Sequence, residues 1–311
     1  MGMLKDYSAN ERFEGIFLVT EWREAAFKNK PGTYVILACQ DVTGSMAGKL
    51  WEVDPQRLQW LKDHDIFRMS GQVTEFRGIL ELAIDSIAPV PEQEVDLSLL
   101  LPASPHSAEN LEKRLSELVQ SVKDPYLNTL LNRVLYESPI GDSFRRFPAA
   151  RKIHQAYLRG LWEHSVKVAE IVSSLCANYP EISRDLAVTG ALFHDLGKVC
   201  EYEYTRAIDF STEGRLLGHI VIGIQILSRE MDMVLGFPEE LRTKLLHVVA
   251  SHHGRYEWQS PKRPKLMEAF LVHYADAMEA ELWQFKHVKE NHPDSEWSPY
   301  VQNMERYIYL K

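Results

Sequence analysis

Cysteine is scarce in this sequence, and long apolar runs are missing from it. The three cysteines, Cys39, Cys176 and Cys200, are odd in number and far apart, which excludes a disulfide framework and fits a reducing compartment. The longest apolar stretch, around residues 219–227, is too short to span a bilayer. The N-terminal segment is too charged for a secretory signal peptide. We therefore expect a cytoplasmic protein without a membrane partner.

An excess of positive charge is also lacking. The 35 Lys and Arg residues are outnumbered by 44 Asp and Glu residues, which gives a formal net charge of −9. This balance argues against a generally basic surface that grips nucleic acid, but it leaves room for a local basic groove. At 311 residues the chain is long enough for two domains, each with its own core.

The N-terminal part, residues 1–90, has the pattern of a small barrel. Short runs rich in Val, Ile, Phe and Thr are separated by turn residues such as Pro31-Gly32. A short helix is predicted at about residues 55–62, after the third run. Five strands with a helix after the third is the layout of an OB-fold β-barrel. The predicted strands cover residues 13–22, 33–42, 47–53, 65–76 and 78–87.

OB-fold barrels bind single-stranded nucleic acid on aromatic side chains flanked by cations, and they also bind proteins and sugars. Lys49 and Trp51 are the predicted substrate-binding residues of this domain. Strand alternation alone does not tell which aromatic side chains face the core, and about half of them should do so. The remaining candidates are Phe17, Lys28, Lys30, Tyr34, Phe67, Arg68, Phe76 and Arg77.

After the barrel the pattern changes to helices. Residues 91–145 are predicted to be a proline-containing linker followed by connecting helices, with Ser107 as an N-cap and a break at Asp124-Pro125. Residues 146–311 read as amphipathic helices without strand-like alternation. The fold class is therefore multidomain α+β, with a five-stranded OB-fold β-barrel followed by an all-α helical bundle.

Histidine is distributed unevenly, since ten of the twelve lie after residue 150. The string GALFHDLGKVCEY ends a predicted helix with adjacent His194 and Asp195, which are costly to bury without a partner or a metal. One inward histidine is usually a hydrogen-bonded core residue, whereas several helices that each present one predict a shared polar centre. The other inward candidates are His164, His219, His252 and Asp276.

These side chains have the composition of a one- or two-metal hydrolytic centre. Histidine and carboxylate ligands suit Mn, Fe, Co, Zn or Mg, and the sequence does not choose among them. His253 is either a second ligand beside His252 or a phosphate contact. His154 is a candidate for substrate binding because it precedes the first ligand helix in a basic segment, and His273 is a candidate hydrogen-bond partner of Asp276.

The strings PAARKIHQAYLRGLWEHSVKVA, ALFHDLGKVCEY, STEGRLLGHIVIG and VASHHGRYEWQSPKRPKLMEAFLVHYADAMEA resemble the HD phosphohydrolase superfamily, whose pattern is H…HD…H…H…D. With DVTGSMAGKLWEV in the barrel, the whole chain resembles the YhaM-type 3′→5′ exoribonucleases, which join an OB-fold to an HD domain. Residues 146–311 would then be the HD domain. The resemblance implies RNA, or DNA, as a substrate that is hydrolysed to nucleoside monophosphates by metal-activated water.

By this resemblance, Asp195 bridges two divalent ions, with Mn²⁺ as the expected metal. The implied ligands are His164, His194, Asp195 and Asp276 for the first ion, and Asp195, His219 and His252, His253 or both for the second. His194, Asp195 and Lys198 are the implied catalytic residues, Lys198 as a phosphate contact. The implied substrate-binding residues of the HD domain are His154, Arg159, Arg215 and Arg255.

The chain departs from the family pattern near the site, with Gln155 where the family has a second histidine, and with Arg159 and Trp162 in the following string. No predicted ligand is lost, but substrate preference stays open. An HD-type nucleotide or cyclic-nucleotide phosphohydrolase is the first alternative function, and the acidic net charge favours it mildly. A non-catalytic nucleic-acid-binding protein is the second, and the intact ligand set argues against it. Homo-oligomer formation stays open.

Overall fold

The computed structural model describes residues 2–27, 31–76, 78–96, 99–101, 103–150, 155, 157–203 and 209–311. Contacts divide the chain into two compact units, one that ends at Ala103 and one that comprises Ser104–Glu203 and Asp209–Lys311. Within the described ranges, no helix combines the length and the apolar character that crossing a membrane requires.

The first unit is a closed barrel, as the sequence predicts. Its strands are β1 (Arg12–Ala26), β2 (Thr33–Asp41), β3 (Gly44–Leu50), β4 (Ile66–Phe76) and β5 (Ile79–Pro89). They follow the order β1-β2-β3-β5-β4, with β3 and β5 parallel and the other neighbours antiparallel. The helix α1 (Pro55–Asp63) lies between β3 and β4 and is capped by Asp54, whose side chain accepts a hydrogen bond from the Arg57 N–H.

Alternation along the strands fills the barrel core. In β2, Val35, Leu37 and Cys39 point inward and are buried, while the residues between them are more exposed. Phe17 and Phe67 are 1% and 0% exposed. These two candidates therefore belong to the half of the aromatic side chains that was expected to face the core.

The second unit is a helical bundle preceded by connecting helices. The helices are α2 (Ala108–Ser121), α3 (Pro125–Asn132), α4 (Pro139–Arg146), α5 (Gly160–Cys176), α6 (Arg184–Phe193), α7 (Lys198–Glu201), α8 (Thr212–Asp232), α9 (Glu239–Ser251) and α10 (Met267–Asn291). Ser107 caps α2 with its side chain, as predicted. Asp124, where the sequence predicts a break, caps α3 with its side chain, and Pro125 stands at the first position of that helix. A π-helical turn, Arg133–Glu137, joins α3 to α4.

One apolar core joins the connecting helices to the bundle. Leu115 of α2 and Leu130 of α3 belong to the same buried cluster as Val168 of α5, Leu192 of α6 and Val248 of α9. The structure therefore groups residues 104–145 with the bundle, whereas the sequence separates them as connecting helices. The reason is that their buried faces pack on α5 and α6, which the sequence pattern does not show.

The bundle also holds a two-stranded sheet, which the prediction of an all-α domain omits. The strands β6 (Tyr202–Glu203) and β7 (Asp209–Phe210) pair antiparallel. Each strand has two residues, so neither is long enough to produce a readable alternation in the sequence.

Candidate metal centre

The candidate metal centre is built around the turn between α6 and α7, which carries His194 and Asp195. His194 directly follows α6, and its Nδ1 lies 2.7 Å from the carbonyl oxygen of Ala191. This hydrogen bond fixes the ring with Nε2 facing the interior. Both side chains are almost completely buried, with residue exposures of 0% and 2%.

Gly197 is required in this turn by packing and not by its backbone conformation. A glycine that stops a helix typically adopts a left-handed backbone, but here φ is −63°. A Cβ at this position would lie 1.9 Å from the carbonyl oxygen of His219 and 2.6 Å from the backbone nitrogen of Gly223. Glycine is needed because α8 passes directly against the turn, and this close approach brings His219 next to Asp195.

One carboxylate oxygen of Asp195, Oδ2, faces a first group of ligand candidates. It lies 3.3 Å from Nε2 of His194 and 3.6 Å from Nε2 of His164 on α5. Asp276 on α10 completes the group, since its Oδ1 lies 3.1 Å from Nε2 of His164. We call these four residues the first half-site.

The other carboxylate oxygen of Asp195, Oδ1, faces two further histidines. Nε2 of His219 lies 3.5 Å away, and Nε2 of His252, which directly follows α9, lies 3.6 Å away. The ring of His253 lies 4.4 Å from the ring of His252. The nearest ligand atoms of the three histidines lie within 4.8 Å of one another. We call Asp195 and these three histidines the second half-site.

Two backbone features place the second half-site. Gly218 interrupts α8 with φ of 72° and ψ of 157°, and His219 follows this kink. Gly254 has φ of 73°, and a Cβ there would lie 2.3 Å from the ring of His273. His273 Nδ1 lies 2.7 Å from the carbonyl oxygen of His252. The predicted pairing of His273 with Asp276 is therefore wrong, because the ring is engaged by the His252 backbone.

Buried polar atoms without a hydrogen-bond partner indicate whether these residues suit a metal ion. Asp195 Oδ1, His219 Nε2 and His252 Nε2 are buried and have no hydrogen-bond partner among the described residues. Leaving such acceptors buried and unpaired costs about 1–3 kcal/mol each. All three converge on the second half-site, and imidazole nitrogen and carboxylate oxygen are ordinary ligands of divalent transition metals. The donor set therefore fits a divalent cation.

The charge states of these groups agree with that fit. Burial and the neighbouring imidazoles hold the pKa of His252 well below its usual value, so its ring stays neutral. Burial also lowers the pKa of His194, but Asp195 and Asp276 outweigh it and raise this pKa to about 10. The buried carboxylates of Asp195 and Asp276 therefore favour the protonated form of His194 and create a strongly negative environment. A metal cation can take the place of that proton.

Comparison with known proteins agrees with the geometry. The HD domain family model matches residues 161–281. The 3′-5′ exoribonuclease YhaM of Geobacillus sp. (strain WCH70) is 31% identical over 309 residues, which cover 98% of this chain and 93% of the relative. The chain belongs to the YhaM family of HD-domain proteins. HD domains bind divalent metals, and the centre has a cluster of His and Asp side chains that could hold such an ion.

Lys198, predicted as a phosphate contact, has a partner inside this YhaM-family centre. It is 7% exposed, and its Nζ lies 2.7 Å from Oδ2 of Asp195. Burial lowers the pKa of Lys198, but the charge of Asp195 outweighs it and raises this pKa above its usual value, so the ammonium stays charged. Lys198 therefore offsets part of the negative charge of the first half-site.

The sequence analysis does not identify two carboxylates that contact the candidate ligands, Glu279 and Glu201. Glu279 is 5% exposed, and its Oε2 lies 2.7 Å from Nδ1 of His164. Glu201 is equally buried, and its Oε1 lies 3.0 Å from Nδ1 of His219. A signal was present for Glu279, because it follows Asp276 by three residues on one helix and so shares its face.

The predicted substrate-binding residues of the HD domain lie in different surroundings. Arg215 is exposed, pairs with Asp209 at 2.9 Å and lies 6.0 Å from the ring of Phe210. Arg255 stacks on Trp258 at 4.7 Å, two residues after His253. Arg159 precedes α5 with a left-handed backbone. His154 lies outside the described residues, as do Lys28, Lys30 and Arg77 of the barrel.

An open cavity of about 780 Å³ adjoins the second half-site. His219 and His253 form part of its wall, together with Lys198 and Arg215. Its other wall residues include the exposed apolar side chains of Leu216, Leu217 and Val221. The cavity thus combines an apolar wall with cationic groups beside the candidate metal ligands.

In the barrel, Trp51 belongs to an aromatic surface. Its ring lies 4.9 Å from that of Tyr34 and 6.0 Å from that of Phe27, in stacked arrangements. Trp51 is 45% exposed. Lys49 forms an ion pair with Glu81 and lies 5.9 Å from the Trp51 ring and 5.5 Å from the Phe76 ring. The two predicted residues of the barrel are therefore brought together, with Lys49 already paired to a carboxylate.

Proposed function

We propose that this protein is a metal-dependent 3′→5′ exoribonuclease that shortens single-stranded RNA and releases nucleoside monophosphates. The observation that carries the proposal is the two-sided placement of Asp195, whose oxygens face two separate histidine groups. The similarity to a 3′-5′ exoribonuclease over nearly the whole chain supports RNA as the substrate.

The two half-sites would hold two divalent ions, with Mn²⁺ as the expected metal and Asp195 shared between them. His164, His194 and Asp276 would complete the first site, and His219, His252 and His253 the second. Bound divalent ions lower the pKa of water and neutralise charge on phosphoryl oxygens. The protein orients the ligands, and Lys198 keeps the carboxylate of Asp195 in place and ionised.

The cavity beside the second half-site would take the terminal nucleotide of the strand. Its apolar wall suits a ribose and a base, and its cationic groups suit a phosphate. Arg255 and Trp258 lie on the loop that follows His253 and present a stacked cation and aromatic ring. Such a pair suits an unstacked base of RNA. Arg159 and His154 are proposed as further substrate contacts on the segment before α5.

The barrel would hold the single strand through stacking. Phe27, Tyr34 and Trp51 form a continuous aromatic surface, and bases of any sequence can stack on such a surface. Lys49 contributes a cation beside Trp51, although its pairing with Glu81 reduces its reach for phosphate. Stacking, rather than charge, would then dominate, in keeping with the acidic chain.

The test is incubation of the purified protein and Mn²⁺ with end-labelled single-stranded RNA, single-stranded DNA and small nucleotides. A ladder that shortens from the 3′ end with release of mononucleotides is expected for RNA. Asp195→Ala should abolish this activity, because it removes a ligand from both half-sites, whereas the exposed Asp294→Ala should retain it. Hydrolysis of nucleotides alone would favour a nucleotide phosphohydrolase instead.

A further inference from the structure

Every candidate histidine ligand has its Nδ1 engaged outside the centre, so that Nε2 is directed inward. Three of the five rings face a backbone carbonyl oxygen, and two face a buried carboxylate. The carbonyl partners are Ala191 for His194, Val249 for His252 and Trp258 for His253, each at 2.7 Å. The carboxylate partners are Glu279 for His164 at 2.7 Å and Glu201 for His219 at 3.0 Å.

We infer that Glu279 and Glu201 are positioning residues of the metal centre, which act through His164 and His219 and set how tightly each half-site binds a divalent cation. One carboxylate serves each half-site. A carboxylate on the outer nitrogen fixes the ring orientation and makes Nε2 a stronger donor to a metal than a carbonyl does. The inference rests on the metal centre of the proposed function, and it does not require that RNA is the substrate.

Glu279 is itself fixed by neighbours that do not belong to the ligand set. Its Oε1 accepts a hydrogen bond from Nε2 of Gln155 at 2.9 Å, and Nζ of Lys167 lies 3.7 Å away. Gln155 is fully buried and has φ of 46°. Gln155 stands where the family pattern has a second histidine. Its side-chain amide orients the carboxylate of Glu279, and this carboxylate in turn orients the ring of His164.

Glu201 holds both the ring and the backbone of its histidine. Its Oε1 accepts from the backbone N–H of His219 at 2.9 Å as well as lying 3.0 Å from the ring nitrogen. This backbone N–H follows Gly218, where α8 is kinked. Glu201 therefore stabilises the kink and the ring together.

A carboxylate in another part of the bundle provides a matched control. Glu230 on α8 is partly buried and accepts a hydrogen bond from Nε of Arg133 at 2.7 Å. It lies on the same helix as His219, but its partner Arg133 is not a candidate ligand. Replacing Glu230 removes an ion-paired charge of the bundle without releasing a ligand histidine.

The test measures Mn²⁺ binding to the full chain by electron paramagnetic resonance of free Mn²⁺, without RNA. We expect Glu279→Gln and Glu201→Gln each to weaken binding about 10- to 100-fold at one of the two sites, and Glu230→Gln to leave both affinities within twofold. ¹⁵N NMR of the metal-free variants should show a changed protonation pattern for one histidine ring, which a purely structural loss would not single out.

Two results would overturn the inference: wild-type Mn²⁺ affinity in both Glu279→Gln and Glu201→Gln, or an equal loss in Glu230→Gln. Glutamine is used at both positions because it keeps an acceptor of the same shape without the charge, so that the variants retain the packing of the wild type. Failure of the wild-type protein to cut RNA would refute the proposed nuclease activity while leaving these affinities to be judged separately.

Discussion

The close approach of α8 to the turn at Gly197 makes Gly197→Ala a demanding test of how the centre is built. The backbone there has an ordinary φ of −63°, so an alanine costs nothing in conformation. Its Cβ would lie 1.9 Å from the His219 carbonyl oxygen. Because Cβ atoms in proteins stay at least 3.0 Å from such atoms, α8 must move away by about 1.1 Å.

This displacement sets the expected magnitude. Overpacking of this kind costs about 1–3 kcal/mol of stability, and we expect the upper end because both contacting atoms belong to backbone. The same movement changes the 3.5 Å separation between His219 Nε2 and Asp195 Oδ1. A shift of about 1 Å at a reacting centre lowers activity about 100-fold.

The assays are urea unfolding followed by circular dichroism and the initial rate of RNA shortening at saturating Mn²⁺. Gly236→Ala is the control, since a Cβ there meets nothing within 4 Å while φ is 73°; it should lose stability through backbone strain and keep its activity. If Gly197→Ala matched the wild type in both assays, the argument that α8 places His219 through this contact would fail.

Three further predictions follow from the fold and the site. Trp51→Ala should weaken binding of long single-stranded RNA by about 1–3 kcal/mol per lost stacked base, measured by fluorescence anisotropy, with little effect on cleavage of dinucleotides. Chelation with EDTA should lower the thermal midpoint, and Mn²⁺ at about 100 times its Kd should restore about 2.7 kcal/mol; an unchanged midpoint would contradict a metal-stabilised bundle. Burial raises the pKa of Cys39 to about 12, so at pH 8 iodoacetamide should modify the exposed Cys200 first, as peptide mass spectrometry can show.

Local patterns were sufficient to predict the barrel and the histidines that meet at the candidate metal centre. The alternation of Val35, Leu37 and Cys39 is a strand signal in itself, and the closed barrel confirms it. The inward positions of His164, His194 and His252 follow from helical phase, and the structure brings these side chains together with Asp195. Their roles as ligands stay predictions until a metal is located.

Long-range contacts explain what the sequence did not show. His164 and Glu279 are separated by 115 positions, so no local pattern links them. The need for glycine at position 197 comes from α8, and the burial of Phe17 and Phe67 depends on how the strands close. Each of these features requires knowledge of which elements are neighbours in space.

The hydrogen-bond partners that orient the ligand histidines form at different stages of folding, because some are local in sequence and others are distant. His194 and His252 bond the carbonyl three residues earlier, so α6 and α9 orient these two rings as soon as the helices form. The rings of His164 and His219 are oriented only when their carboxylate partners, 115 and 18 positions away in the sequence, have packed against them. We therefore expect refolding to pass through a species that captures Mn²⁺ weakly before it does so tightly, which stopped-flow mixing with a metal indicator would resolve.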